Sequence, residues 1–200
     1  MSERPVRRLT PGLERPLNWD SLPALQAVHD NAFHDDVMRA GENYQMRHSF
    51  MHLDKILGAF AAIVEKAFHG ENLDSERAKF IHERLPDLVV FVAKLHNLVG
   101  GAWPARPRPD SRATFRGTET PNLEWLELQL EAFERNLAQL NSQRRVLMRD
   151  GPIGSETRRH VVTALAPLAQ VAASLAAFYG KDLLELYRAR MVDVEQRKRR

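Results

Sequence analysis

Apolar residues recur along this chain at steps of three and four, and nowhere do they alternate over the length of a strand, so the pattern predicts an all-α protein. The clearest stripe is Met46, Phe50, Leu53, Leu57, Phe60 and Val64, one face of a helix expected from about Glu42 to His69. A shorter helix is expected from Ser21 to His34, with Ser21 as N-cap and Pro23 tolerated in the first turn. Another runs from about Ser75 to Val99; Pro86 either kinks it or starts a new segment, and Gly100 and Gly101 end it.

In the second half, Thr120 reads as an N-cap with Pro121 at the first helical position, opening a long helix to about Arg149. Within it Leu123, Leu126, Leu130, Phe133, Leu137 and Leu140 form a heptad seam that Leu147 resumes, a pattern suited to long antiparallel packing or to a dimer. An alanine-rich helix follows from the N-cap Ser155 to Phe178, bent at Pro167, and an amphipathic one from Asp182 to about Val194. The sum is a helical bundle of about six helices. Residues 1–18 are an irregular arm, residues 19–101 a bundle half, 102–121 a Pro- and Arg-rich linker, and 122–200 a second half that packs on the first or stands beside it.

Composition narrows the chemistry. The chain has 200 residues and no cysteine, which excludes disulfides, thiolate zinc sites and cysteine nucleophiles and suits a reducing cytoplasmic setting. Any metal must be held by oxygen or imidazole. No apolar run of membrane-spanning length and no secretory signal is read, so no membrane is expected. The net charge of +3 is unevenly spread, with the basic excess in "RPRPDSRATFR" and the terminal "EQRKRR"; these read as solubilising segments, and nucleic acid is not the expected partner.

The stretch "ERLPDLVVFVAKLHNLVGG" is among the most apolar in the chain, yet it keeps Asp87, Lys94 and Asn97. On a helix these share one stripe with Glu83, beside a core face of Leu88, Phe91, Val92, Leu95, Leu98 and Val99. On the preceding helix Asp54 and Glu65 share a stripe of their own. If the two helices pack antiparallel, four carboxylates could face each other across a shallow pocket, and an all-oxygen cluster suits Mg²⁺ or, in its place, Mn²⁺. The alternative is a solvated flank with ordinary surface chemistry.

The run "LPDLVVFVAKLHNLVGG" resembles the third helix of the MazG-like all-α nucleotide pyrophosphohydrolases, with Asp87, Lys94, Leu95, Asn97 and Gly100 at matching spacing and His96 in place of a small residue. The resemblance implies a helical bundle, a homodimer or larger oligomer, and Mg²⁺-dependent hydrolysis of nucleoside triphosphates to monophosphate and pyrophosphate. It implies Asp87 as a metal ligand and Lys94 and Asn97 near the nucleotide. Two features depart from it: the paired ExxE of the previous helix is absent, Asp54 and Glu65 standing at unrelated spacing, and the ExxD becomes Glu83-Arg84-Leu85-Pro86-Asp87, one residue longer. The C-terminal Gly180, Asp182 and Leu183 resemble the same family's GxDL turn, with Pro167 at the position of the metal Asp.

Taken together, the candidate site residues are Glu83 and Asp87 as catalytic groups, Asp54, Glu65, Glu83 and Asp87 as metal ligands, and Lys94 and Asn97 as nucleotide-binding groups. The competing reading is a non-catalytic interaction or scaffold protein that self-associates through residues 122–148. The eight histidines include His48 and His52 at i and i+4, but their order does not follow a hemerythrin-like set, and most are expected at the surface or at caps. The dipeptide His29-Asp30 is too short to signal a metal-dependent phosphohydrolase. No phosphate-cradling glycine loop, GxSxG or HExxH is present.

Overall fold

Leucine- and alanine-rich segments punctuated by Gly and Pro fold here into packed helical rods without a strand among the described residues. The structure, a computed structural model, describes residues 10–109, 122–148 and 152–199. The elements are α1 (Leu22–Phe33), the single turn α2 (Asp35–Met38), α3 (Glu42–Phe68), α4 (Asp74–Lys79), α5 (Leu85–Val99), α6 (Leu123–Asn141), α7 (Ser155–Phe178) and α8 (Leu183–Arg199). The all-α bundle expected from periodicity is what the chain forms.

Boundaries differ where local chemistry decides them. Between α4 and α5 the rod does not break at Pro86; a π-helical turn, Phe80–Arg84, carries it through, its wider ring making room for Pro86 in the first turn of α5. α6 ends at Asn141 rather than near Arg149, because Ser142 donates to the Gln139 carbonyl and Asn141 turns its amide to Asp54, both competing with helix propagation. Leu147 still reaches the core, through a 3₁₀ turn, Val146–Met148. The N-cap of α6 is Asn122, whose side chain accepts from the Trp125 N–H at 3.0 Å; Thr120 and Pro121 lie outside the described residues, as does the linker from 110. Gly154, not Ser155, holds the cap position of α7.

α5 and α7 are the central pair. α7 brings Ala164, Ala169, Ala172 and Ala176, all buried, against its neighbours, and small side chains let the rods approach closely. α3 and α6 flank this pair on one side, and α1 and α8 cover α5 on the other. One continuous hydrophobic core runs through both halves of the chain, so the linker connects parts of a single packed body. The described part of the arm belongs to it as well: Leu13 is buried, and Thr10 donates its N–H to Glu195 on α8 at 3.0 Å. By length and composition α7 could cross a membrane, but most of its apolar stretch is buried as the core helix of this bundle. The heptad seam of α6 is spent inside the chain, with Leu126, Phe133, Leu137 and Leu140 buried against α3 and α7.

Candidate functional site

Asp87 and Lys94 stand seven residues apart, two turns of one helix, and therefore on one side of α5. That side faces α1 and α8, away from α7. Asp87 is held by α8: Arg190 places Nε 2.7 Å from Oδ1 and Nη2 3.0 Å from Oδ2, a bidentate fork with both partners largely buried. Arg190 also reaches Asp193 at 2.9 Å. Lys94 is held by α1, its Nζ 2.8 Å from Asp30 Oδ1. The same oxygen accepts from Gln26 Nε2 at 2.9 Å, and Gln26 Oε1 accepts from the Tyr187 hydroxyl of α8 at 2.7 Å. The polar residues of the apolar helix thus close a buried network that ties α1, α5 and α8 together.

A cavity of about 290 Å³ opens along this network, walled by α1, α3, α5 and α8. Asp87, Lys94 and Arg190 line it, and Lys198 stands at its exposed rim. A smaller space of about 80 Å³ adjoins it, sharing His48, Val37 and Lys94. Four histidines complete the wall: His29 and His34 from the α1–α2 junction and His48 and His52 from α3. His52 lies nearly parallel to Phe91 at 4.6 Å between centroids and stands 4.5 Å from His48.

Electrostatics set the protonation of this wall. Burial, aided by the Lys94 charge, lowers His29 to about 4; burial with Lys94 and His29 lowers His34 to about 3. Burial and the neighbouring His48 bring His52 to about 4, and His48 is lowered for the same kind of reason. All four rings are therefore neutral at neutral pH, the form in which imidazole ligates metals or donates a single hydrogen bond. Burial pushes the Asp30 and Asp87 carboxyls up, against the pull of Lys94 on the first and Arg190 on the second.

The four carboxylates expected to share a cation do not converge. Asp54 is turned toward α6, where Arg144 and Asn141 hold both its oxygens. Glu65 is exposed on α3. Glu83, half-buried on the π turn, is near enough for its charge to raise Asp87, but Asp87 itself is occupied by Arg190. Consecutive helices do pack, α3 on α5, yet their acidic stripes look toward different neighbours. Asn97 is exposed and donates to the Pro23 carbonyl at 2.8 Å, securing α1 to α5 at the edge of the smaller space. Of the six candidates, Asp87 and Lys94 reach the main cavity.

What the sequence did not foresee is the contribution of α1. Gln26, His29 and Asp30 fall at i, i+3 and i+4, one face of a helix, and all three are buried. Polar residues at core spacing were the available signal. Nor are most histidines at the surface: His29, His34, His48 and His52 form the cavity wall, because α3 turns its i, i+4 pair toward α5 and the kink after Phe33 brings His34 back over α1. Among the described residues, the one group of three metal-competent side chains that converges is His29, Asp30 and His34, with ligand atoms within 4.8 Å of one another.

The chain matches no family model, no curated protein and no solved structure. The resemblance seen along α5 has the residues quoted for it as its whole support.

Proposed function

We propose that the protein binds a small phosphate-bearing molecule of the nucleoside triphosphate class in the cavity between α1, α3, α5 and α8. One observation supports this reading: the two charged residues that interrupt the apolar run of α5 both open onto the same cavity, together with Arg190 and Lys198. A guanidinium fork and ammonium groups suit phosphoryl oxygens, and an incoming anion would compete for Lys94 and Arg190 with carboxylates whose own charge is disfavoured by burial. The space is at the lower end of what small ligands occupy, enough for phosphoryl and sugar groups with the base toward the rim.

The Mg²⁺ set of Asp54, Glu65, Glu83 and Asp87 does not fit that ion, since Arg144 and Arg190 hold two of the four and Glu65 stands apart, so no hydrolytic step is drawn through it. Turnover to monophosphate and pyrophosphate remains what the α5 resemblance implies, and pyrophosphate release reads it apart from binding.

The test is thermal unfolding with a panel of ribo- and deoxynucleoside triphosphates, with EDTA and then with Mg²⁺ or Mn²⁺, alongside pyrophosphate release. Binding raises Tm by several degrees at saturation, and Lys94→Met abolishes the rise. If no nucleotide moves Tm, or if the shift survives in Lys94→Met, the reading fails. Binding without pyrophosphate release keeps the site and removes the hydrolase.

A further inference from the structure

His29 is 1 % exposed, and neither of its ring nitrogens has a hydrogen-bond partner. The Met191 backbone lies near enough to bias the ring, but not in hydrogen-bonding geometry. A buried imidazole with both nitrogens unsatisfied is unusual, since buried polar groups are nearly always paired. This ring lines the cavity with His34, and the third metal-competent group of the cluster, Asp30, lines the smaller adjoining space.

We propose that His29, Asp30 and His34 form a site for a divalent first-row transition metal, of which Zn²⁺ is the prototype, with its open coordination positions facing the cavity. Two imidazoles and one carboxylate are a donor set suited to such ions, and three protein ligands leave room for water or a ligand group. The set is the wrong one for Mg²⁺, which prefers oxygen.

Local structure places each donor. His29 and Asp30 are adjacent on α1, and the backbone bends immediately beyond: His34 has φ −129° and ψ 35°, and its N–H still reaches the Asp30 carbonyl at 2.8 Å. That bend folds the His34 ring over His29, with centroids 5.6 Å apart. Donor atoms around a tetrahedral ion stand about 3.4 Å apart, so closing from within 4.8 Å takes at most about 1.4 Å of approach between any two of them. His34, half-buried at a helix junction, is the member free to make it. Both neighbouring donors, Lys94 and Gln26, reach the same oxygen of Asp30, Oδ1, which leaves Oδ2 for the ion. Both rings are already neutral, so no proton must leave before they ligate.

Lys94 acts in this arrangement as the competitor of the metal, because its ammonium holds the carboxylate that the ion would share. Two variants therefore move metal affinity in opposite directions. His34→Ala removes a ligand; Lys94→Met removes the competing charge.

The experiment uses untagged full-length protein, stripped with EDTA and titrated with Zn²⁺ by calorimetry and with Co²⁺ by visible absorption, with no nucleotide present. Wild type is expected to bind one ion, with the Co²⁺ bands of nitrogen–oxygen coordination. His34→Ala is expected to weaken binding by more than about tenfold, the lower range seen when even an outer-shell partner is lost. Lys94→Met is expected to tighten it, the opposite of what the same variant does to nucleotide binding. Absence of saturable binding, or equal binding in His34→Ala, overturns the proposal. Should His34→Ala fail to fold, X-ray absorption of the Zn²⁺-loaded wild type decides: two imidazoles in the coordination sphere uphold the site, one or none sinks it. Because metal alone is the probe, failure here leaves the nucleotide reading standing, and nucleotide binding in EDTA can fail without touching this one.

Discussion

α5 and α7 lie against each other at the centre of the bundle, and both are mostly buried, yet they are written in different residues. α7 has no charged side chain between Val161 and Phe178 and packs through alanine and leucine. α5 buries Asp87 and keeps Lys94 mostly covered. Position in the core does not distinguish them; their other neighbours do. On the side away from α7, α5 meets α1 and α8, and these supply Asp30 and Arg190. A central helix can carry charge where the elements opposite it return the complementary group, and the region so built is the one that encloses a cavity.

The largest break in this comparison comes from Asp87→Ala, which leaves the buried Arg190 with Asp193 as its remaining partner. Loss of one member of a buried pair is expected to cost about 3 kcal/mol or more, read as a fall in the urea midpoint. Replacing Asp87 and Arg190 together by Leu and Met should recover most of that stability, since the pair pays its own desolvation; a double variant as unstable as the single would show the pair to be indispensable to the fold.

On α7, Ala172→Leu forces a larger side chain into a fully buried contact and is expected to cost about 1–3 kcal/mol by overpacking, without affecting ligand or metal binding by the folded fraction. A loss of nucleotide binding equal to that of Lys94→Met would erase the distinction between the two helices.

Acidification sharpens the difference further. His29, His34 and His52 have folded-state values near 4, 3 and 4 against an ordinary 6.5, so between pH 6.5 and about 4 the unfolded chain takes up protons that the folded chain refuses. Stability should therefore be full above pH 6.5 and fall as pH drops through that window. Asp30 and Asp87, raised by burial, work the other way at its acid end. Chemical denaturation at a series of pH values reads the slope, and His52→Gln should flatten it.

The smallest effect is expected at Asp54. Its pair with Arg144 is about one-third exposed on each side, and Asp54→Ala should cost less than about 1 kcal/mol. A larger loss would mean that α3 depends on this contact as α5 depends on Arg190.

The rods were legible because their apolar positions repeat with the helical period, and Asp87 and Lys94 were legible because they interrupt such a repeat. Their partners were not. Arg190 lies 103 residues from Asp87, and nothing in local pattern joins them. The convergence of Asp54 and Glu65 with α5 failed for the same reason: a stripe gives a face, but the neighbour that face meets is settled by packing. The seam of α6 was read correctly as apolar, and Leu126, Phe133, Leu137 and Leu140 are buried within the chain. Light scattering would show whether chains also pair.

The π turn before α5 carries one more residue per hydrogen-bonded ring than an α turn, the Leu85 N–H reaching back to the Phe80 carbonyl. It behaves as a one-residue insertion absorbed without a break, and the longer Glu83-to-Asp87 interval falls across it. Deleting a single residue there should restore an ordinary helix and leave the upstream residues close to the azimuth they now hold relative to Asp87. Glu83 and Asp87 would keep their mutual facing across a shorter interval, so the wider turn lets the acidic couple tolerate one residue more or less.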